Sequence, residues 1–487
     1  MTQAKLLLAS LFFAVLFMAC DSASEDKNEH LPNIIYINVD DLGWKDPAWT
    51  GMGFMGSEFY ETPNLNKLAS RSMLFTQAYA GAANCAPSRA CLLSGMNTPR
   101  HQIYTVANSD RGDERTRRII PVPNTETLAD SVYTLAEMLH DQGYVTGTFG
   151  KWHLGEDPRT QGFDVNVGGS RNGNPGRNGY FSPYNVKYLS DGPEGEYLTD
   201  RLSREAMSFV EQYQDSTFFL YLPFYTVHTP IMGKEEFIAR FANKEGAEGQ
   251  DRADYAAMVA SMDENVGRLL NQLDSLGLTE NTLIIFTSDN GGIRSISSQQ
   301  PLRAGKGSYY EGGIRVPLLV SWPGNIKAGS QCSVPVTNLD IYPTIQNIVG
   351  AEQQNKLLDG NDISSLFYGD SIAERPLFWH FPIYLQAYDM QEDDGRDPLF
   401  RTRPGSVIRM GDWKLHEYFE DGGLELYNLA EDIGERQNLV EEYPEKAEEL
   451  YQILQDWRQQ THAPVPTEKN PAYDAAYEQQ LISEVGE

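Results

Sequence analysis

The sequence predicts an α/β fold: a large mixed, mainly parallel sheet flanked by helices, with a smaller C-terminal α+β subdomain. Three observations predict it. Four runs of strand length are apolar at nearly every position, as strands buried on both faces of a parallel sheet are. Helical patterns alternate with those runs, as crossover connections do. After about residue 335 the pattern changes to short alternating stretches, which fit a small antiparallel sheet.

Taken in order, "NIIYINV" (33–39) runs into Asp40 and Asp41. "YVTGTFG" (144–150) runs into Lys151 and His153, "FFLYLPFYTV" (218–227) into His228, and "TLIIFTS" (282–288) into Asp289 and Asn290. Between them, "TLAEMLHDQG", "LTDRLSREAMSFVEQYQ" and "YAAMVASMDENVGRLLNQLDSLG" read as helices, the last with its stop at Gly277. "VTNLDIYPTIQNIVG" reads as a helix packing on the main sheet. "GSVIRMGDWKLHEYF" and "LELYNL" read as strands of the small sheet, and "PEKAEELYQILQDWRQQ" as its covering helix. The expected domains are 32–350 for the catalytic part and 351–487 for the C-terminal subdomain.

In open sheets of this kind ligands bind beyond the carboxyl ends of the strands, so all four polar clusters are expected to face one crevice. A single Asp or His after a strand is most often a turn residue or a helix cap. Four such clusters at one end of one sheet are not explained that way.

The chain is 487 residues long, too long for one small core, and its 40% hydrophobic and 11% aromatic content is that of a folded protein. Its 39 basic and 68 acidic residues give a net charge of −29, which argues against a nucleic-acid partner. It does not argue against a small anionic substrate, because a basic pocket can sit inside an acidic shell.

Lys5 and the apolar run "LLLASLFFAVLFMA" read as a signal peptide (1–19), too short to span a bilayer comfortably. The run ends at Cys20, in the manner of a bacterial lipoprotein signal whose cysteine is lipidated; simple cleavage near Ala19 is the alternative. Residues 20–31, polar and acidic, read as a flexible tether, and they resemble the export signal of cell-surface glycan degraders. The expected location is the outer membrane, facing the cell surface or the periplasm, through a lipid anchor.

Four cysteines then leave Cys85, Cys91 and Cys332 in the mature chain, so at least one thiol is unpaired or chemically altered. Cys85 and Cys91 lie on different faces of the helix expected there and are unsuited to pair.

Asp40, Asp41, Asp289 and Asn290 offer only oxygen, which suits a hard cation, Ca²⁺ or Mg²⁺, rather than zinc. In "ANCAPSRACLLSG" (83–95) Pro87 fits the first turn of a helix that Gly95 stops. Cys85 falls at the amino end, where N–H groups and the helix dipole favour negative charge, and Arg89 lies one turn on. A nucleophile at a positive helix end beside an arginine suits an anionic group. A buried structural cysteine in a capped helix reads equally well from this segment alone.

Taken together the motifs resemble those of the type I sulfatases of the alkaline-phosphatase-like superfamily. "CAPSRACLLSG" is similar to their first signature and "GYVTGTFGKWHLG" to their second. "HTP" (228–230), "IIFTSDNGG" (284–292), "RAGKGSYYEGGIRVP" (303–317) and "LYNLAEDIGERQNL" (426–439) resemble further blocks in the expected order. The resemblance runs from about residue 32 to 460.

It implies that Cys85 is oxidised to formylglycine by a formylglycine-generating enzyme that reads Pro87 and Arg89. The hydrated aldehyde then attacks the sulfur of a sulfate ester and later re-forms with loss of sulfate. It further implies that Asp40, Asp41, Asp289, Asn290 and the residue-85 oxygen hold Ca²⁺, the usual ion, with Mg²⁺ less expected. Arg89 then fixes formylglycine, Lys151 and Lys306 contact sulfate, and His153 assists the elimination. His228 becomes the acid for the leaving sugar oxygen, with a pKa raised by the anionic site.

The expected substrate is a sulfated polysaccharide or its oligosaccharides, algal (ulvan, carrageenan or fucoidan) rather than a glycosaminoglycan. Arg100, His101, Arg111 and Arg303 are candidate sugar or sulfate contacts, or else plain surface charges. "FWHFPIY" around His380 either stacks on sugar or is core. Two other readings remain: a phosphodiester or phosphonate hydrolase of the same superfamily, and a catalytically silent glycan-binding lipoprotein.

Overall fold

The computed structural model describes residues 31–354 and 357–485. The expected signal peptide, Cys20 and nearly all of the tether lie outside the described residues. Residues 32–487 form one compact unit, and no helix among the described residues is long and apolar enough to cross a membrane.

The apolar runs become adjacent strands of a nine-stranded sheet. In chain order these are β1 (Asn33–Val39), β2 (Met73–Tyr79), β3 (Val145–Phe149), β4 (Val165–Val167), β5 (Phe218–Pro223), β6 (Thr282–Ser288), β7 (Arg315–Ser321), β8 (Ser330–Cys332) and β9 (Val336–Thr337). The spatial order is β4-β3-β5-β1-β6-β7-β2-β8, with β9 also on β2. Strands β3, β5, β1 and β6 pair in parallel. Only β7 runs against its neighbours, giving a mixed, mainly parallel sheet.

Every residue of β1 and β6 is buried, and the alternation explains why both faces are apolar. Ile35, Ile37 and Val39 join a core with Ala206, Phe209, Met258 and Val259 of the helices Leu198–Gln212 and Ala253–Leu276. On the other face Phe163 stacks on Phe219 and Tyr221 of β5. The Ala253–Leu276 helix ends where expected, at Gly277 in the left-handed conformation (φ 69°).

One element differs from expectation. "VTNLDIYPTIQNIVG" opens as β9 beside β2, and the helix spans only Ile341–Ile348. Thr337 and Asp340 form a reciprocal cap, each side chain bonded to the other's backbone, which fixes where helical geometry starts.

The C-terminal strands are β10 (Leu377–Phe381), β11 (Leu385–Gln386), β12 (Phe400–Thr402), β13 (Gly405–Met410), β14 (Trp413–Tyr418) and β15 (Gly423–Asn428). They form an antiparallel sheet β10-β13-β14-β15 and a separate β11-β12 pair. The Pro444–Thr461 helix covers one face through Leu450, Leu454 and Trp457 against Ile408, Leu415 and Leu426. Trp379, Phe381 and Val407 on the other face pack with Tyr79, Tyr309 and Ile314 of the main sheet region.

Candidate active site

The register of the sheet puts the four polar clusters side by side. Val39 pairs with Ser288 and Asn38 with Pro223, so the residues that follow these strands emerge at one level. Cross-links lock the ends together: Asp289 N–H donates to the Val39 carbonyl (3.2 Å), Asp40 N–H to Thr226 (3.0 Å) and Lys151 N–H to Pro223 (2.7 Å). Gly150 (φ 133°) permits that last crossing, because a Cβ there would lie 2.0 Å from the Pro223 carbonyl oxygen. Asp41 and His153 both sit at φ 65°, a conformation uncommon outside glycine that concentrates at functional sites.

The Cys85–Ser94 helix is buried along its whole length and presents Cys85 at its first position; it ends at Gly95 (φ 66°). The Cys85 Sγ lies 3.3 Å from Asp40 Oδ1 and 3.8 Å from Asp41 Oδ1. Arg89, one turn on, is fully enclosed: its Nε donates to Asp289 Oδ2 (2.9 Å) and its Nη1 to the Lys151 carbonyl (2.8 Å). Lys151 Nζ donates to Asp40 Oδ2 (2.6 Å), and Lys306 Nζ to Asp41 Oδ2 (2.8 Å). His228 completes the group at its open side, with Nε2 3.8 Å from Asp41 Oδ2.

One ligand atom each from Asp40, Asp41, Cys85 and Asp289 falls within 4.8 Å of the others. Asn290 Nδ2 donates to Asp41 Oδ1 (2.8 Å), while its buried Oδ1 has no hydrogen-bond partner. A buried carbonyl oxygen left unpaired beside three carboxylates is what a hard cation would satisfy. The residues present therefore fit a divalent metal ion.

Residues 32–351 match the family described as Sulfatase. The chain belongs to that family. Residues 305–461 match the description N-sulphoglucosamine sulphohydrolase, C-terminal. A sulfatase of Formosa agariphila is 33% identical, with 94% of each chain covered. Human arylsulfatase A is 31% identical over 84% of this chain and 83% of its own. The crystal structure of Ps i-CgsB in complex with k-i-k-neocarrahexaose is similar with a TM-score of 0.71 at 28% identity, covering 93% of this chain and 98% of that one. The sulfatase hydrolyses sulfate esters, and its family uses formylglycine together with a divalent metal ion.

Burial and crowding set the electrostatics of this sulfatase. Burial, reinforced by Asp289 and Asp41 and opposed by Lys151, lifts the Asp40 carboxyl to about 7. Burial also works to raise Asp41, but Lys306, His228 and Lys151 outweigh it and hold that carboxyl well below the usual range. Burial and Asp40 push the Cys85 thiol up, so the unmodified cysteine is a poor nucleophile here. Burial and the neighbouring Lys151 push His153 well down.

The expected rise for His228 is corrected. Burial and then Lys306, with Lys151, outweigh Asp41 and bring it down to about 3. The sequence reading placed both lysines in the site but weighed its carboxylates alone, without the burial that dominates the shift. Its Nδ1 faces the Thr229 carbonyl at 2.6 Å, which places the proton of the neutral ring on Nδ1.

The rim expectations divide. Arg100 is paired with Asp359 (2.7 Å), and His101 is buried with Nε2 3.5 Å from Cys91 Sγ. Arg303 lies over the Tyr310 ring (3.8 Å) and donates to the Glu435 and Gly395 carbonyls. His380 is core, bonded to Ser406 Oγ (2.8 Å) and the Pro464 carbonyl (3.0 Å). These four are structural. Arg111 is half-buried, donates to the Val106 carbonyl and lies within electrostatic reach of Arg401 and Tyr388. Neither of those two was singled out from the sequence: Tyr388 follows the two-residue β11 and Arg401 lies in the three-residue β12, runs too short to carry a pattern. Cys85, Cys91 and Cys332 are all free thiols.

Proposed function

We propose that this sulfatase removes sulfate from a sulfated polysaccharide or its oligosaccharides, through formylglycine made from Cys85 and a Ca²⁺ ion held by Asp40, Asp41, Asp289 and Asn290. The observation that carries this is the single buried cluster at the ends of β1, β3, β5 and β6. There three carboxylates and three cations (Arg89, Lys151 and Lys306) surround Cys85. With a divalent ion favouring the ionised form of all three carboxylates, their charges cancel those of the three cations and the ion leaves the site positive, as an anionic ester requires. Formylglycine supplies, when hydrated, a hydroxyl nucleophile for sulfur, and the metal ion supplies its acidification.

The chain's own residues do the rest. Arg89, anchored at Asp289 and the Lys151 carbonyl, holds position 85 and Lys151 in one frame. Lys151 and Lys306 exchange a carboxylate contact for sulfate oxygens and neutralise charge that builds in the transition state. His153 accepts a proton from the residue-85 hydroxyl during elimination. His228, the partly exposed member at the mouth, gives a proton to the leaving sugar oxygen at Nε2. It gains that proton as the substrate's negative charge arrives beside it.

The similarity to a structure solved with neocarrahexaose supports an algal galactan-type substrate. We propose further an exported lipoprotein anchored through Cys20, which the leader's pattern supports.

Sulfate release by ion chromatography tests this on carrageenan, ulvan, fucoidan and glycosaminoglycan oligosaccharides. The chain is co-expressed with a formylglycine-generating enzyme, with Cys85→Ala as control. Release from an algal substrate, absent in the control, is expected. Release only from glycosaminoglycans overturns the algal substrate. Faster cleavage of a matched phosphate ester, or binding without turnover by fully converted protein, overturns the sulfatase reading itself.

A further inference from the structure

Beside the catalytic cleft two arginines lie close together, neither in an ion pair with a carboxylate among the described residues. Arg401, the middle residue of β12, is 4% exposed. It donates from Nη1 to the Lys306 carbonyl (3.0 Å) and from Nε to the Gln386 carbonyl (2.9 Å). Half-buried Arg111 donates to the Val106 carbonyl. Among the described residues no carboxylate pairs with either. In a chain of net charge −29, with most of its buried arginines paired to acids, that arrangement is costly. Arg111 is held below its ordinary range by burial and then by Arg401.

The placement is built. Gly307 (φ 89°) follows Lys306, and a Cβ there would fall 2.6 Å from Arg401 Nη1, so only glycine lets the guanidinium reach the catalytic lysine's carbonyl. The 109–112 loop is tied to the same region by the Tyr384 N–H bond to the Ser109 carbonyl (2.8 Å). Tyr388, 51% exposed, lies flat against the Arg401 guanidinium at 3.4 Å. It is within electrostatic reach of both Arg111 and Lys306. Asp393 accepts the Tyr388 N–H (2.5 Å) and lies within electrostatic reach of Arg401 without forming an ion pair with it.

We propose that Arg111, Arg401 and Tyr388 form a second anion subsite at the cleft mouth. It takes a carboxylate or a further sulfate ester on the sugar that bears the scissile sulfate, or on its neighbour. The two guanidiniums supply charge-assisted donors and the exposed tyrosine ring supplies a surface for the sugar. The substrate is then a multiply charged glycan. This rests on the sulfatase reading for the group next door, and not for the subsite's own binding.

The test uses the whole chain co-expressed with a formylglycine-generating enzyme and three matched oligosaccharides: singly sulfated, doubly sulfated, and sulfated with a uronic acid. Calorimetry gives Kd for each and sulfate release gives kcat/KM. Wild type is expected to prefer one of the doubly charged ligands by about ten- to a hundredfold, and which one names the second anion. Arg111→Met and Tyr388→Ala are expected to shrink that preference toward unity, through KM. A wild type without preference overturns the proposal, as do variants that weaken all three ligands equally. Preference in binding with no turnover retains the subsite and removes the sulfatase reading instead.

Discussion

Two buried charge clusters in this molecule use similar residues to opposite ends. At the strand ends, Asp40, Asp41 and Asp289 meet Arg89, Lys151 and Lys306. Where the small sheet faces the main one, Lys414 Nζ pairs with both Glu311 (2.9 Å) and Glu435 (3.0 Å), while Arg315 adds a bond to Glu311 and His416 one to Glu435. Lys414 and His416 lie mid-strand in β14, on regular ladder positions. Asp41 and His153 lie past strand ends, in left-handed backbone. His416 is 1% exposed, whereas His228 keeps an edge open to solvent. Burying charge does not by itself make a site. Placing it on irregular backbone at an opening, with ligand atoms of Asp40, Asp41, Cys85 and Asp289 converging on one point, does.

The largest expected effects separate the two clusters by readout. Asp40→Asn lowers sulfate release by about a thousandfold, the scale of losing one charge-stabilising group in a dry site. Its thermal midpoint moves little, because burial, Asp289 and Asp41 already disfavour the ionised Asp40 and its removal relieves that repulsion. Lys414→Met does the reverse. It strands Glu311 and Glu435 without their shared cation, which costs about 3–5 kcal/mol of stability, while turnover per folded molecule holds. Denaturant unfolding alongside sulfate release checks both. An inactive but stable Lys414→Met would erase the distinction.

Removing divalent metal sharpens the comparison at smaller scale. Chelation is expected to abolish turnover and to lower stability by about 3–4 kcal/mol if the ion is bound at a hundred to a thousand times its Kd. Ca²⁺ restores both more fully than Mg²⁺. Lys414→Met keeps this response and Asp40→Asn loses it. A thermal midpoint in wild type that ignores chelator and calcium alike would remove the ion from the strand-end cluster.

The legibility of the sequence follows the same divide. Asp40, Lys151, His228 and Asp289 were readable because a doubly buried parallel strand is an unbroken apolar run, and its polar successor marks the ligand edge of the sheet. The small sheet was readable from alternation, as in "GSVIRMGDWKLHEYF". The rim was not. Arg100, His101 and Arg303 looked free because their partners Asp359, Cys91 and the Glu435 carbonyl are brought to them only by folding. The segment around His380 was left open between a sugar platform and core, and its β10 position facing Ser406 across the ladder puts His380 in the core. Arg401 and Tyr388 went unseen because the β11–β12 segment has no period to read. The direction for His228 was missed for another reason: Lys151 and Lys306 were placed in the site, but the burial that dominates the histidine's shift is set only by folding.

The smallest expected effect concerns histidines that belong to neither cluster. His101 and His380 are buried, and burial brings each down to about 3. In the unfolded chain they titrate near about 6.5. Between those values the unfolded state binds more protons than the folded one, so stability rises with pH there and is lost as pH falls below about 6.5. By about pH 4.5 each costs about 2–3 kcal/mol. His380→Gln retains an amide able to donate to the Pro464 carbonyl and removes the titrating ring. It is therefore expected to shed its share of the loss between about pH 6.5 and 4.5, at some cost in stability at neutral pH. Urea unfolding at a series of pH values reads the slope directly. A slope identical to that of wild type would mean that His380 takes up its proton in the folded state, and that the core around β10 admits water.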